Sequence, residues 1–389
     1  MTTPKSGYLF IADITGYTAF LSASELEHAQ DTLSTLLELL IEHTRPPLVI
    51  SRLAGDAVIS YALQEKFTQG QTFVEMIENT YVAFRKAIEL MVLNNTCQCN
   101  ACANVSTLDL KFFVHYGIFG LQRLSAHDEL VGSDVILIHR LLKNHVTEKT
   151  GSRAYTLYTH AAIRHMGLED IRATMMPHTE EYEHLGEVKV WIQDMHPVWE
   201  QKRAATRVTI PPERIGLQVE AEIAMPPHLV WDYLIQPEFR KTLIGSDSQR
   251  ILNRSHGRVA PGSAYQCFHG KRIVIQTVLE WQPFEQMTTE DLLMPDTYAL
   301  VDYRLIPTDT GTRLVQTFSK ARGPLLRRIL VQTIVSMSSK TYQRDIEAFK
   351  KQVESDLAAR GGAPQAAAKI PFEEISEAAA ASLANTGTR

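Results

Sequence analysis

The stretch YLFIADITGYTAF, Tyr8–Phe20, decides how the front of the chain is read. Five apolar residues, Tyr8 to Ala12, run straight into a carboxylate, Asp13. A short continuous apolar run closed by a polar residue marks a strand buried on both faces. An ionised carboxylate at the end of such a strand is costly unless something pairs with it. A second carboxylate follows at a tight turn. LVISRL and AVISYAL read as two short strands around Ala54-Gly55-Asp56. If these strands pair with the first, Asp13 and Asp56 converge. Converging carboxylates either raise a pKa or bind a hard cation. On spacing alone the plainer reading is favoured, with Asp13 as a cap of the next helix and Asp56 as a turn residue.

Outward from this stretch, strands and helices alternate. Thr18 to Glu42 carries apolar residues at helical spacing, and Pro46-Pro47 stops it. A second helix is predicted from about Gln71 to Leu93. LDLKFFVHYGIFGLQRL, Leu108 to Leu124, alternates like a strand and its return. Ser133 to Asn144 is predicted as a helix with Ser133 as its cap, and Val188 to Met195 as a closing strand. Residues 197–213 are charged and proline-bearing with little periodicity, so they read as a linker.

A second pattern starts after the linker. LQVEAEIAM alternates as a strand, and Pro226-Pro227 opens a helix. Strand-like segments follow in SAYQCF, RIVIQTVLEW, QMTTEDLL, TYALVDYRLI and TRLVQTFSK. One long helix is predicted from about Pro324 to Leu357, and from Ala358 on the Gly-, Ala- and Ser-rich chain reads as disordered. Within the helix, LLRRILVQTIVSM is amphipathic, with Arg327-Arg328 outward. Packing against its own sheet is the preferred reading over a membrane contact. The organisation is α+β: domains at 1–197 and 214–357, a linker at 198–213, and a tail at 358–389.

Composition narrows the function. The 389 residues are 44% hydrophobic and 21% charged, with a formal net charge of -5, so nucleic acid is not the expected partner. No apolar run is long enough to span a bilayer, and the N-terminus lacks the order of a signal peptide. A cytoplasmic protein is expected.

Three of the four cysteines, Cys97, Cys99 and Cys102, lie in CQCNAC. In a reducing compartment such a cluster points to metal or redox chemistry before disulfides. Zn²⁺ takes four tetrahedral N/S ligands, so His115 or His43 is a candidate to complete the set. Three free thiols are the plain alternative. Cys267 stands alone and reads as a small buried residue. His115 in FFVHYG reads as a satisfied strand histidine, and His139 beside Arg140 as structural.

The motifs of the front half resemble class III nucleotidyl cyclases over about residues 7–195. FIADITGYTAF is similar to their opening strand, SRLAGDAVISY to their metal-binding hairpin, and LKFFVHYG and ELVGSDVILIHRL to later segments. The resemblance implies a ferredoxin-like α/β sandwich working as a homodimer on a nucleoside triphosphate with Mg²⁺ or Mn²⁺. It assigns Asp13 and Asp56 as metal ligands, with the Ile14 carbonyl as a third. Arg52 and Glu129 fall at base-contacting positions, and Arg140 falls at the position of the transition-state arginine. Two departures stand out. Ile136 occupies the place of an asparagine and cannot hydrogen-bond, and the late phosphate-contacting lysine has no counterpart, Lys189 lying too far along its strand. A weak, changed or lost activity is therefore expected. The front half together with CQCNAC also resembles an uncharacterised bacterial family of the DUF2652 type.

The second domain is similar to START-like (polyketide cyclase and lipid-transfer-like) domains over about residues 215–355, most clearly in Val230-Trp231-Asp232 through Pro237-Glu238. That resemblance implies a helix-grip fold around a cavity for an apolar small molecule or lipid, with Tyr265, Phe268, Trp281 and Tyr298 as candidate lining. Together the domains suggest a ligand-sensing signalling protein, coupled through linker and dimer interface. The alternative is an inactive cyclase-like dimerisation scaffold with the function, binding or polyketide-cyclase-like chemistry, in the second domain.

Overall fold

The computed structural model describes residues 4–63, 70–93, 100–124, 127–204, 207–255 and 257–360. The chain divides into two compact units, and the main boundary falls between Ala205 and Thr206. The fold class is α+β, as expected. No helix among the described residues is long and apolar enough to cross a membrane.

The first unit runs β1 (Lys5–Thr15), α1 (Tyr17–Ser22), α2 (Leu26–Thr44), β2 (Val49–Ala54), β3 (Ala57–Leu63) and α3 (Gly70–Leu93). It continues with α4 (Asn100–Asn104), β4 (Asp109–Leu124), β5 (His127–Val131), α5 (Ser133–Leu141), α6 (Val146–Thr150) and β6 (Tyr155–Thr159). It closes with α7 (His160–Met166), α8 (Glu169–Arg172), β7 (Met176–Tyr182), β8 (Gly186–Asp194) and α9 (His196–Ala204). The sheet order is β2-β3-β1-β4-β6-β8-β7, with β5 on β4. The apolar strand of the opening motif thus lies mid-sheet, antiparallel to β3 and β4. Burial on both faces explains its unbroken apolar run. Leu9 and Ile11 pack with Phe113, Tyr155 and the α5 stripe Val135, Ile138 and Leu141. On the opposite face Tyr8 and Phe10 meet Phe73 of α3. Each such large side chain contributes roughly 1.5–3 kcal/mol by leaving water.

Gly7 faces the Ala62 carbonyl across β1 and β3 so closely that a Cβ would collide with it. Gly7→Ala is expected to cost about 1–3 kcal/mol, read as a lower midpoint in urea unfolding. An unchanged midpoint would mean that this strand pair has slack.

The second unit runs β9 (Ile215–Ile223), α10 (Pro227–Leu234), α11 (Pro237–Leu243) and then the meander β10 (Ser248–Asn253), β11 (Ala264–His269), β12 (Arg272–Gln282), β13 (Gln286–Met294), β14 (Thr297–Thr308) and β15 (Gly311–Ser319). Two helices, α12 (Leu325–Met337) and α13 (Ser339–Ala359), finish it. The sheet is antiparallel throughout, in the order β10-β11-β12-β13-β14-β15-β9. Ile346, Phe349, Val353 and Leu357 form the buried stripe of α13 at helical spacing. They join a core that includes Trp231 edge-on to Trp281 at 4.8 Å.

Several expectations need correction. The helix over 18–42 is broken between Ser22 and Leu26. Leu108–Leu124 is not a strand and its return but one 16-residue strand, β4. Its first part pairs with β1 and its last part with β5, so the strand changes partner instead of returning. The closing strand expected over Val188–Met195 does form, as β8, the last strand of the first unit. Helix α9 occupies the first half of the expected linker. The long C-terminal helix is two helices that meet at Ser338. In α12 the contact of its apolar side is narrow: Val331 and Val335 are buried, while Leu325, Leu326, Ile329, Leu330, Ile334 and Met337 are exposed. The tail from 361 on lies outside the described residues.

Candidate functional site

The hairpin of β2 and β3 turns through two residues, Gly55 and Asp56. Gly55 has φ +66°, the left-handed conformation that a two-residue hairpin loop demands at its first position. β1 lies beside β3 with Asp13 opposite Ala57. The Ile14 amide donates to the Asp56 carbonyl at 3.2 Å and so ties the turn to the strand end. The two carboxylates therefore converge. Both are half-buried. Burial first, and then the Asp56 charge, push the Asp13 carboxyl up to about 6, with Lys111 partly offsetting them. Burial likewise raises the Asp56 carboxyl.

Lys111 is a member of this site that the sequence reading missed. It is the register partner of Asp13 on β4, and its Nζ lies 5.1 Å from the centre of the Tyr155 ring. Burial lowers its pKa, and the Asp13 charge acts against that. The alternation in LDLKFFVHYG carried the signal, because Lys111 shares a strand face with Phe113 and His115. Tyr155 donates to Asn144 Oδ1 at 2.8 Å, which holds the ring in place.

Arg52 and Glu129, placed separately by sequence, form an ion pair at 3.4 Å. Their side chains are 46% and 33% exposed. His139 feels both charges, and burial lowers its pKa. Arg140 lies exposed late in α5 and forms no ion pair among the described residues. Ile136, one turn earlier, is also exposed, at 57%.

His115 is satisfied within its own strand layer. Thr159 Oγ1 serves Nδ1 at 2.9 Å, Nε2 meets Asp134 Oδ1 at 3.2 Å, and Asp134 Oδ2 takes the Ile118 amide hydrogen at 2.7 Å. His43 Nδ1 lies 3.1 Å from the Leu39 carbonyl. Cys97 and Cys99 lie outside the described residues, as does the side chain of Cys102 in α4. Among the described residues no group of three or more His, Cys, Asp and Glu side chains assembles to hold a metal. Asp13 and Asp56 are a pair, the number of carboxylates that suits Mg²⁺ when phosphates and waters complete its shell.

The second unit contains a cavity of about 220 Å³. Tyr303, Phe318 and Tyr342 supply its aromatic lining, in place of Tyr265, Phe268, Trp281 and Tyr298. Tyr265 instead donates to the Ile235 carbonyl at 3.0 Å, and Trp281 is spent on Trp231. Behind the cavity sits Arg240, which is fully buried. Its guanidinium lies over the rings of Tyr265 and Tyr303, at 4.8 and 4.7 Å. It donates to Gln276 Oε1 at 3.2 Å and to the Tyr303 hydroxyl at 3.3 Å. Gln276 Nε2 in turn donates to Asp291 Oδ2 at 2.6 Å. Burial pushes the Asp291 carboxyl up to about 6. Cys267 is the buried free cysteine expected, with a thiol pushed up to about 11 by burial. Nothing local in PEFRKTL marks Arg240 as buried.

Known proteins resemble this chain in parts. The model of a protein family of unknown function, DUF2652, matches residues 33–150. An uncharacterised protein of Mycobacterium tuberculosis is 28% identical over 166 residues, 42% of this chain and 73% of its own length. Among solved structures, a bacterial light-regulated adenylyl cyclase matches 52% of this chain at 11% identity, with a TM-score of 0.38. The chain spans 58% of the length of that structure. The adenylyl cyclase CyaB from P. aeruginosa matches 50% of this chain and 96% of its own, at 17% identity and a TM-score of 0.36.

Proposed function

We propose that the first unit binds a nucleoside triphosphate with Mg²⁺ or Mn²⁺, as a divergent nucleotidyl cyclase-like module, and that the second is a START-like binder of an apolar small molecule. The observation that carries the first part is the convergence of Asp13 and Asp56. Two half-buried carboxylates that repel each other form a site that a divalent cation stabilises. The Ile14 carbonyl is the third ligand in this reading. A bound cation supplies charge neutralisation for the triphosphate oxygens. Arg52 and Glu129 offer a donor and an acceptor side by side, which suits the edge of a base. The exposed Arg140 serves the phosphates across a homodimer, where a guanidinium matches phosphate geometry.

A second reading is favoured by Ile136. A side chain that cannot hydrogen-bond stands where the resemblance expects an asparagine, which fits a scaffold that binds nucleotide, or only dimerises, without turnover.

Thermal unfolding of the full chain with ATP or GTP and Mn²⁺ tests both readings. The triphosphate is expected to raise the melting temperature only with the cation present, and Asp13→Ala/Asp56→Ala to abolish the shift. Arg52→Ala is expected to weaken nucleotide binding about tenfold while leaving the cation response intact. A cyclic nucleotide, detected by mass spectrometry and absent from the double variant, would extend the reading to catalysis. The absence of any nucleotide shift in the wild type would overturn it and leave the function with the second unit.

A further inference from the structure

The cavity of the second unit ends in polar groups with one bond left unmade. Gln316 lines the cavity and is only 1% exposed. It is the register partner of Tyr303 across β14 and β15, and its Oε1 has no hydrogen-bond partner. Buried amide oxygens are rarely left unpaired, because nothing replaces the water they gave up. Asp291 lines the same cavity with both oxygens engaged, Oδ1 by Thr289 at 2.7 Å and Oδ2 by Gln276 at 2.6 Å. Among the described residues that line this cavity, Gln316 is the one whose buried side-chain oxygen is unpartnered, so it offers a bond to a newcomer.

The chemistry of that newcomer follows from charge and size. At this end Gln276 bridges the buried Arg240 guanidinium and the Asp291 carboxyl, so opposite charges stand close together beside Gln316, and the other charged lining residue, Arg272, is exposed. A hydrocarbon would leave Gln316 unpaired. A hydroxyl both donates and accepts, so it serves the Gln316 amide in either orientation. Val274, Leu293, Val301, Phe318, Val331 and Val335 give the rest of the wall its apolar surface, while the lining also includes the half-buried His269 and the exposed Arg272. At about 220 Å³ the cavity is larger than one of about 150 Å³ that admits benzene.

We propose that this cavity binds a neutral apolar molecule bearing a hydroxyl, with the hydroxyl on Gln316 and the carbon skeleton against the valine, leucine and phenylalanine wall. The proposal rests on reading the second unit as an apolar-ligand binder and specifies the ligand's polar end.

The test is a fluorescence titration of the full-length chain with 1-naphthol, 1-methylnaphthalene and 1-naphthoate, which share a skeleton and differ in one substituent. The wild type is expected to bind the naphthol about tenfold more tightly than the methyl analogue, the worth of one buried hydrogen bond. Gln316→Leu is expected to erase that preference while keeping affinity for the methyl analogue. Equal affinity of the wild type for naphthol and methylnaphthalene would overturn the hydroxyl seat and leave the apolar cavity standing. Tightest binding of naphthoate would overturn it in favour of an anion site at Arg240. Binding of none of the three would overturn both the seat and the apolar-ligand reading. The wild-type series decides these outcomes even if Gln316→Leu does not fold.

Discussion

Replacing Asp13 with asparagine is expected to stabilise the cation-free protein at neutral pH and to abolish its response to Mn²⁺. The Asp13 carboxyl is pushed from its ordinary value of 3.8 up to about 6 by burial and by Asp56. A raised carboxyl favours the folded state when protonated. Its contribution is fully present below about pH 3.8 and is lost as pH rises through about 6. At pH 7.5 the folded protein therefore carries the cost of an ionised, crowded Asp13. A shift of this size corresponds to at most about 3 kcal/mol, and partial solvent screening leaves about 1–2 kcal/mol. Asparagine removes the charge and keeps the shape, so the melting temperature of the first unit is expected to rise by about 3–6 °C at pH 7.5. The gain should vanish near pH 4. In the wild type Mn²⁺ is expected to relieve the same repulsion, with a response that fades as pH falls below 6. An asparagine variant that is less stable than the wild type at pH 7.5, or that still responds to Mn²⁺, would sink the cation site. The outcome separates function from stability, because a carboxylate kept for folding would not weaken the fold.

Arg240→Met is the change expected to destabilise the second unit most. The guanidinium is fully buried, packed against two tyrosine rings and hydrogen-bonded to Gln276 and Tyr303. Methionine fills the space but leaves Asp291 a buried carboxylate without a compensating cation. Removing one partner from such an arrangement costs about 3–5 kcal/mol, which lowers the melting transition of the second unit by about 10 °C. Asp291→Asn added to Arg240→Met is expected to recover about 1–3 kcal/mol, because no uncompensated charge then remains. A double variant as unstable as Arg240→Met alone would mean that the guanidinium acts through packing rather than through charge.

Much of this architecture was legible in the chain. The unbroken run Tyr8–Ala12 marks a strand covered on both faces, and Gly55 marks the hairpin that brings Asp56 to Asp13. Local pattern reached that far because turn chemistry and strand pairing act over short separations. The pairing of Arg52 with Glu129 spans 77 residues and depends on β2 and β5 meeting, which no local period encodes. The break at Ser338 was hidden because the apolar spacing of α12 runs on into α13. In β4 the alternation does not show that one strand changes partner instead of returning. The aromatic lining was misassigned for a similar reason. Alternation says which residues share a face, but not that Tyr265 is engaged by the Ile235 carbonyl and Arg240 while Tyr303 meets both Arg240 and the cavity.

The pairing of β9 with β15 has a consequence for how the second unit comes into being. Strands β10 to β15 are joined by successive antiparallel pairings, so each can form as soon as its neighbour has been made. The first strand is different, since Ile223 meets Thr312, 89 residues later in sequence. On the ribosome β9 must wait with its apolar face uncovered until β15 emerges, and until α13 arrives to lie on it. Loop closure over that distance precedes any reward in contacts, which slows the step and exposes it to wrong partners. Chains stopped before α13 should accumulate as aggregates rather than as smaller folded proteins.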